Sequence, residues 1–457
     1  MGRPILSHIN RLTAFTLVAA VALVGACSDD TTEPPENKNP TIQLDISVLA
    51  TTRDYTVTFN ADVSDPDDDP LTVTWEVLRD GQPSGTLNSA DQGKTSMRWT
   101  APSGPDYAGR DSVIATVTDG NGGSATDTEI IWVGTLRATT SLPANDTWTV
   151  DKSPYVLRPG AEAYGIPNGL TLTIEPGVQV LADRANLDIQ VNGRLVTGDA
   201  SGDPVEFRSN KRSPEPGDWQ GITASPRGTG TPRVELTNTK LLHAVDAVGA
   251  RTTAVVELTG CRLMFNRDHA VHFWASGSLT VEDCIITNNE RTGIRVVDSA
   301  TGIPTVVIYN DSIAVNGDVS GDAQSDEDAG IVIDVNDPNG AANIEISCNE
   351  ISYNGVPGIM LTNVNFPNIH HNGIFGNEFG QPGTRFDIRL DDGFGTGGMT
   401  TDLWSPNNFW GLPYEEPADS VNIKAHIRDI ERAPGAGIKV KVIVDPWLHE
   451  WPDATCP

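Results

Sequence analysis

The chain has 457 residues, enough for two or three domains, and carries 61 acidic against 31 basic side chains for a formal charge of −30. That balance excludes the basic footprint of a nucleic-acid-binding protein. It also disfavours unassisted binding of polyanionic glycans, although a bound divalent cation would reverse the sign locally. With 44 glycines, 31 prolines and no long stretch of helical periodicity, the composition is that of a turn-rich β protein.

Residues 1–26 read as a targeting segment. Arg3 and Arg11 precede an apolar run from Ala14 to Ala26, too short to span a bilayer as a mature helix. The run ends in Leu23-Val-Gly-Ala-Cys27. This resembles a bacterial lipobox, and the resemblance implies that Cys27 is lipid-modified and becomes the mature N-terminus. The alternative is an ordinary signal peptide with a chance cysteine. Residues 27–39 are polar and suit a flexible tether. Ser28, not an aspartate, follows the cysteine; by resemblance to bacterial sorting rules this favours the outer membrane. The expectation is a monomer in the cell envelope, held to the membrane through its N-terminal lipid.

Residues 40–135 read as a small β-sandwich. Apolar alternation runs through Tyr55–Phe59, Leu71–Trp75, Ser112–Val117 and Thr128–Val133, separated by turns rich in Asp, Pro and Gly. Ala61-Asp-Val-Ser-Asp-Pro-Asp-Asp-Asp-Pro-Leu71 with Trp75, Trp99-Thr-Ala-Pro102 and Val117-Thr-Asp-Gly-Asn-Gly-Gly123 resemble the PKD and cadherin-like Ig-fold modules of bacterial surface proteins. That resemblance implies a spacer or adhesion unit. Asp65, Asp67 and Asp69, with Asp119 on a distant turn, are candidate oxygen ligands for Ca²⁺. The alternative is that they only cap turns.

Residues 136–457 read as a solenoid with a C-terminal cap. Thr173-Ile-Glu-Pro-Gly177, Val191-Asn-Gly-Arg-Leu195 and Asp218-Trp-Gln-Gly-Ile222 resemble the opening coils of right-handed parallel β-helix proteins of the pectin-lyase-like superfold. Asn407-Asn-Phe-Trp-Gly411 and Val444-Asp-Pro-Trp-Leu448 resemble the terminal coil and cap. Between them one short phrase recurs: Val256–Leu263, Leu279–Ile286, Val306–Ile313 and Ile344–Ile351. Each is followed by an asparagine, at 266, 289, 316 and 354, and then Asn377, in steps of 23, 27, 38 and 23 residues. Such a repeat of short strands and tight turns predicts stacked coils that bury an apolar face only together. Leu258, Ile285, Ile308 and Ile346 are expected to point inward. The asparagines are expected to be structural, as is a turn column of Asn238, Gly260, Asp283, Asn310 and Cys348. Cys261 and Cys284 occupy equivalent repeat positions, so a disulfide and two stacked thiols are both open. The fold class is therefore all-β: an Ig-like sandwich before a right-handed parallel β-helix.

No strong catalytic motif is present. The candidate binding residues come from strand alternation after each small-apolar pair. His272, Trp274, Arg295, Asp334 and Met360 should point outward on successive coils, continued by Asp387, Arg389 and Asp391. An exposed tryptophan beside charged groups suits a sugar-binding groove, the ring stacking on sugar faces and the charges bonding to hydroxyls. An acidic insertion precedes Gly330 and carries Asp318, Asp322, Asp326 and Asp328. It is a second candidate Ca²⁺ site, or a solvated acidic loop. Three function classes follow. One is a surface protein binding a polysaccharide or a surface partner. Another is a Ca²⁺-dependent polysaccharide lyase or glycoside hydrolase, with Arg295, Asp334 and His272 as catalytic candidates. The third is a structural spacer. The matched motifs are all scaffold motifs, which favours binding over catalysis.

Overall fold

The computed structural model describes residues 36–104, 108–226, 230–298, 302–317, 328–337, 343–364, 367–377 and 387–391, with residues 403–404, 408, 427–428, 430–431, 439–440 and 442–443. Among them there is no α-helix. The first module pairs Thr41–Asp45, Thr56–Ser64, Ser96–Thr100 and Thr86–Leu87 in one sheet. The facing sheet is formed by Gln82–Pro83, Thr72–Arg79, Gly109–Thr118 and Ser124–Arg137. Phe59 stacks between Trp75 and Trp99, with centroids at 6.4 and 5.7 Å. Both indoles are satisfied: Trp75 Nε1 donates to Lys94 O and Trp99 Nε1 to Ser84 O.

From residue 146 the chain winds through three parallel sheets, one strand per sheet per coil. Equivalent residues stack in register. Leu236, Leu258, Val281, Ile308, Ile346 and Ile369 form one aliphatic column, each 0–1% exposed. Ile285 was expected in such a column and is not in one: it is 39% exposed, while Val281 and Ile286 are buried. The reason is the left-handed residue Asp283 between the two strands. It turns the chain and restarts the in/out alternation, so parity cannot be carried through it.

Two polar ladders run inside the turns. Asn266, Asn289, Asn316, Asn354 and Asn377 are 0–2% exposed. Each Oδ1 accepts the backbone N–H of the residue one coil earlier, at 2.9–3.3 Å. Asp387 Oδ1 closes this ladder against Asn377. The second ladder is Cys261, Cys284, Asp311, Asn349, Asn372 and Asn408. Cys261 and Cys284 are buried free thiols, and the Cys261 N–H points at Cys284 Sγ, 3.3 Å away. The hydrogen bond from Cys261, with burial, holds the Cys284 thiol well above its usual range. Cys348 is disulfide-bonded.

The two modules share one sheet. Ser124–Arg137 pairs with Gly109–Thr118 on one edge and, through Thr135–Arg137, with Tyr155–Leu157 of the first coil on the other. The Ig-like module thereby covers the first edge of one of the solenoid's three sheets, which would otherwise present unpaired N–H and C=O groups. Asn210, 1% exposed, fastens the joint: its amide accepts from the Ala50 N–H and donates to the Ala50 C=O, both at 2.9 Å. The Arg158 guanidinium lies 3.8 Å from the Tyr55 ring centroid. Asn210→Ala leaves the Ala50 groups unpaired and should cost about 1–3 kcal/mol. Calorimetry should then show the Ig-like module melting ahead of the solenoid. A single unshifted transition would count against the joint.

Candidate functional site

The open face of the ten-stranded sheet carries the site. Val248–Thr252, Val271–Ala275 and Ile294–Val297 lie side by side in it. Their register sets Gly249, His272 and Arg295 in one row and Arg251, Trp274 and Val297 in the next. Val271, Phe273 and Ala275 enter the core, so the alternation turns His272 and Trp274 outward. Trp274 is 46% exposed, and the Arg251 guanidinium lies 5.7 Å from its ring centroid. Thr223, Gly249 and Ala250 line a shallow pocket beside them, edged by Asp246, Arg251, His272 and Trp274.

The turns leading into two of these strands bring Asp246 and His269 together. The His269 N–H donates to Asp246 Oδ1 at 3.1 Å, and His272 Nδ1 lies 3.3 Å from Asp246 Oδ2. The two imidazoles meet edge to face with centroids 4.9 Å apart. One nitrogen from each and a carboxylate oxygen of Asp246 all lie within 4.8 Å of one another. Gly221, at φ +113°, lets the coils pack this closely, because a Cβ there would overlap the Asp246 carbonyl oxygen. Burial lowers the His269 pKa to about 3 despite the pull of Asp246, with His272, Arg291 and Arg295 adding to the fall, so the ring is neutral near pH 7. Its Nδ1 is buried without a hydrogen-bond partner. Burial opposes ionisation of Asp246, but the hydrogen bond to His272 and the charges of the two histidines outweigh it and leave its pKa lowered.

Residues 37–132 match the family model described as a bacterial Ig domain, and residues 220–384 match that of a right handed beta helix region. The fold is an Ig-like module followed by a right-handed parallel β-helix. No curated protein and no solved structure matches the chain.

The β-helix brings His272, Trp274 and Arg295 onto adjacent strands, as the alternation predicts. Asp334 is separated from Trp274 by Val297 in the same row. Further along, Val332 and Met360 occupy the row of His272 and Arg295 but are 0% and 3% exposed, packed with Ala329. Arg389 and Asp391 continue the rows beyond that covered stretch, whereas Asp387, expected on the same face, is 4% exposed and turned into the asparagine ladder. The open face is therefore concentrated around Trp274 rather than continuous to Asp391. Asp246, His269 and Arg251 were not expected from the sequence. The usable signal was that Asp246 and His269 stand two residues before Val248 and Val271, 23 residues apart, the length of one coil.

Several of the carboxylates proposed for calcium have partners of their own, although Asp65 Oδ2 is buried without one. Asp65 Oδ1 accepts the N–H groups of Asp67 and Asp69. Asp67 pairs with Lys38 at 3.0 Å. Asp119 accepts from Asn37, Asn121 and Gly123. Asp328 is 3% exposed and binds Arg291 and Thr292. Asp318, Asp322, Asp326 and Cys27 lie outside the described residues.

Proposed function

We propose that this chain is a cell-envelope lipoprotein whose β-helix binds carbohydrate on the open face around Trp274. The observation that carries the reading is the exposed indole on a flat parallel sheet, with Arg251 beside its ring and His272 one position away. A ring so placed offers an apolar face to a sugar, and the neighbouring polar groups select its hydroxyls. The bacterial Ig-domain match suits a surface-displayed protein. The disulfide-bonded Cys348 suits an oxidising compartment. The Leu23–Cys27 sequence supports lipid attachment at Cys27 and the outer membrane as the destination. Catalysis has less behind it: among the described residues Asp246 is the one carboxylate lining the pocket, and glycoside hydrolysis takes two.

A glycan array probed with protein starting after Cys27 tests the reading. Trp274→Ala should weaken the best glycan about tenfold or more without changing the melting temperature. Unchanged affinity in that variant would remove Trp274 from the site. Failure of every glycan to bind would leave a protein partner or a spacer. Replacing Cys27 by serine should move the full-length chain from the membrane to the soluble fraction.

A further inference from the structure

We propose that Asp246, His269 and His272 form a binding site for a zinc-type divalent transition metal, with one coordination position open to the Trp274 pocket. Four observations carry it. The three ligand-type atoms converge within 4.8 Å. His272 Nδ1 and Asp246 Oδ2 are already 3.3 Å apart, close to the ~3.3 Å edge of a tetrahedron whose ligands stand about 2.0–2.1 Å from the metal. His269 is 5% exposed, and its Nδ1 has no hydrogen-bond partner. A buried polar atom left unsatisfied costs stability unless something occupies its lone pair. Finally, the carboxylate is held in place: the His269 N–H fixes Asp246 Oδ1, which leaves Oδ2 for a metal.

The donor set decides the metal class. Two imidazoles and one carboxylate suit Zn²⁺ and its neighbours, whereas Ca²⁺ and Mg²⁺ take oxygen ligands. The net charge of −30 raises the local concentration of cations at the surface. All three residues sit on or beside parallel strands fixed above and below by further coils: the Asp246 N–H donates to Gln220 O, and the Ala247 N–H to His269 O. Three protein ligands leave a tetrahedral ion one vacant position. Asp246 and His272 line the pocket that also holds Thr223 and Trp274, from which a water molecule or a ligand hydroxyl or carboxylate would complete the ion.

The test uses the soluble chain stripped with chelator and titrated with ZnCl₂ alone by calorimetry, with retained metal counted by mass spectrometry. One equivalent should bind, and excess Ca²⁺ should not displace it. Asp246→Asn and His272→Gln should each weaken binding roughly 10- to 100-fold. His272 is the safer variant, its side chain being 27% exposed, and an unchanged melting curve of the metal-free variant shows that it folds. His370 and His371, whose Nδ1 atoms lie 2.8 Å apart with Glu345 2.8 Å from His370 Nε2, serve as the control pair. No bound zinc, binding unchanged in both site variants, binding lost only on replacing His370 and His371, or displacement by Ca²⁺ would each overturn the proposal. None of these readouts depends on a glycan.

Discussion

Asn289→Ala should destabilise the β-helix by about 3–5 kcal/mol, seen as a fall in the urea midpoint with little change in slope. Asn289 is 1% exposed. Its Oδ1 accepts from the backbone N–H and the Nδ2 of Asn266. Its Nδ2 donates to Leu263 O, Thr287 O and Asn316 Oδ1. Alanine removes both halves of the amide at once. It strands a buried N–H on one coil and a buried C=O on the same coil, and each costs about 1–3 kcal/mol when left unpaired. The neighbouring Asn288 is the control. It is exposed and left-handed at φ +56°, so Asn288→Gly should change stability by less than about 1 kcal/mol. Equal losses at the two positions would mean that the ladder contributes nothing beyond its turn conformation.

Asp311→Asn should instead stabilise the protein at pH 8 and change its stability little near pH 4. Asp311 stands where the second ladder otherwise carries asparagine toward the C-terminal coils. Its Oδ1 accepts the Cys284 N–H at 2.7 Å, and Asn349 Oδ1 accepts its own N–H at 2.9 Å. Its Oδ2 is buried without a partner. In the next coil the corresponding amide nitrogen, Asn349 Nδ2, donates to Ile308 O and to Asn372 Oδ1. Register puts Val281 one coil below Ile308, so an amide at 311 would meet the Val281 carbonyl and Asn349 Oδ1. Burial, with Cys284 close by, pushes the Asp311 pKa well above its ordinary value of 3.8. A raised carboxyl pKa means that the folded chain holds a proton the unfolded chain has released. Its contribution is fully present below pH 3.8 and is lost as pH rises toward the folded value. The amide has no proton to lose, so the gap between variant and parent should widen with pH. Denaturation midpoints for the pair at pH 4, 6 and 8 measure it. A gap that stays constant, or a less stable variant at pH 8, would refute the assignment.

The repeat pattern made the scaffold legible because each coil reuses the same few choices: an apolar strand, a left-handed turn residue, a buried asparagine. Asn238, Gly260, Asp283, Asn310 and Cys348 were legible as one column, and all five have positive φ. The strand alternation breaks where a turn intervenes. Ile285, expected inward, is exposed because Asp283 resets the alternation before it. Met360 has outward parity yet is 3% exposed, because parity says which face a residue occupies and nothing about what covers that face. Cys261 and Cys284 were legible as neighbours, but not as thiols serving as ladder rungs.

The candidate site divides along the same line. His272 and Trp274 were found because both lie on one strand, where alternation is a local rule. Asp246 and His269 were missed because they lie in turns, where no local rule sets a side chain's direction. Asp246 meets the two histidines only when one coil is laid on the next. The sequence by itself therefore determined the solenoid, its sandwich module and its outward strand positions, since those follow from periodicities of two residues and of one coil. The tertiary structure alone decided that the sandwich continues one of the solenoid's sheets, that Val332 and Met360 are covered, and that an aspartate and two histidines converge beside Trp274. Each of these depends on contacts between segments whose side-chain directions are fixed by packing rather than by the chain's own period.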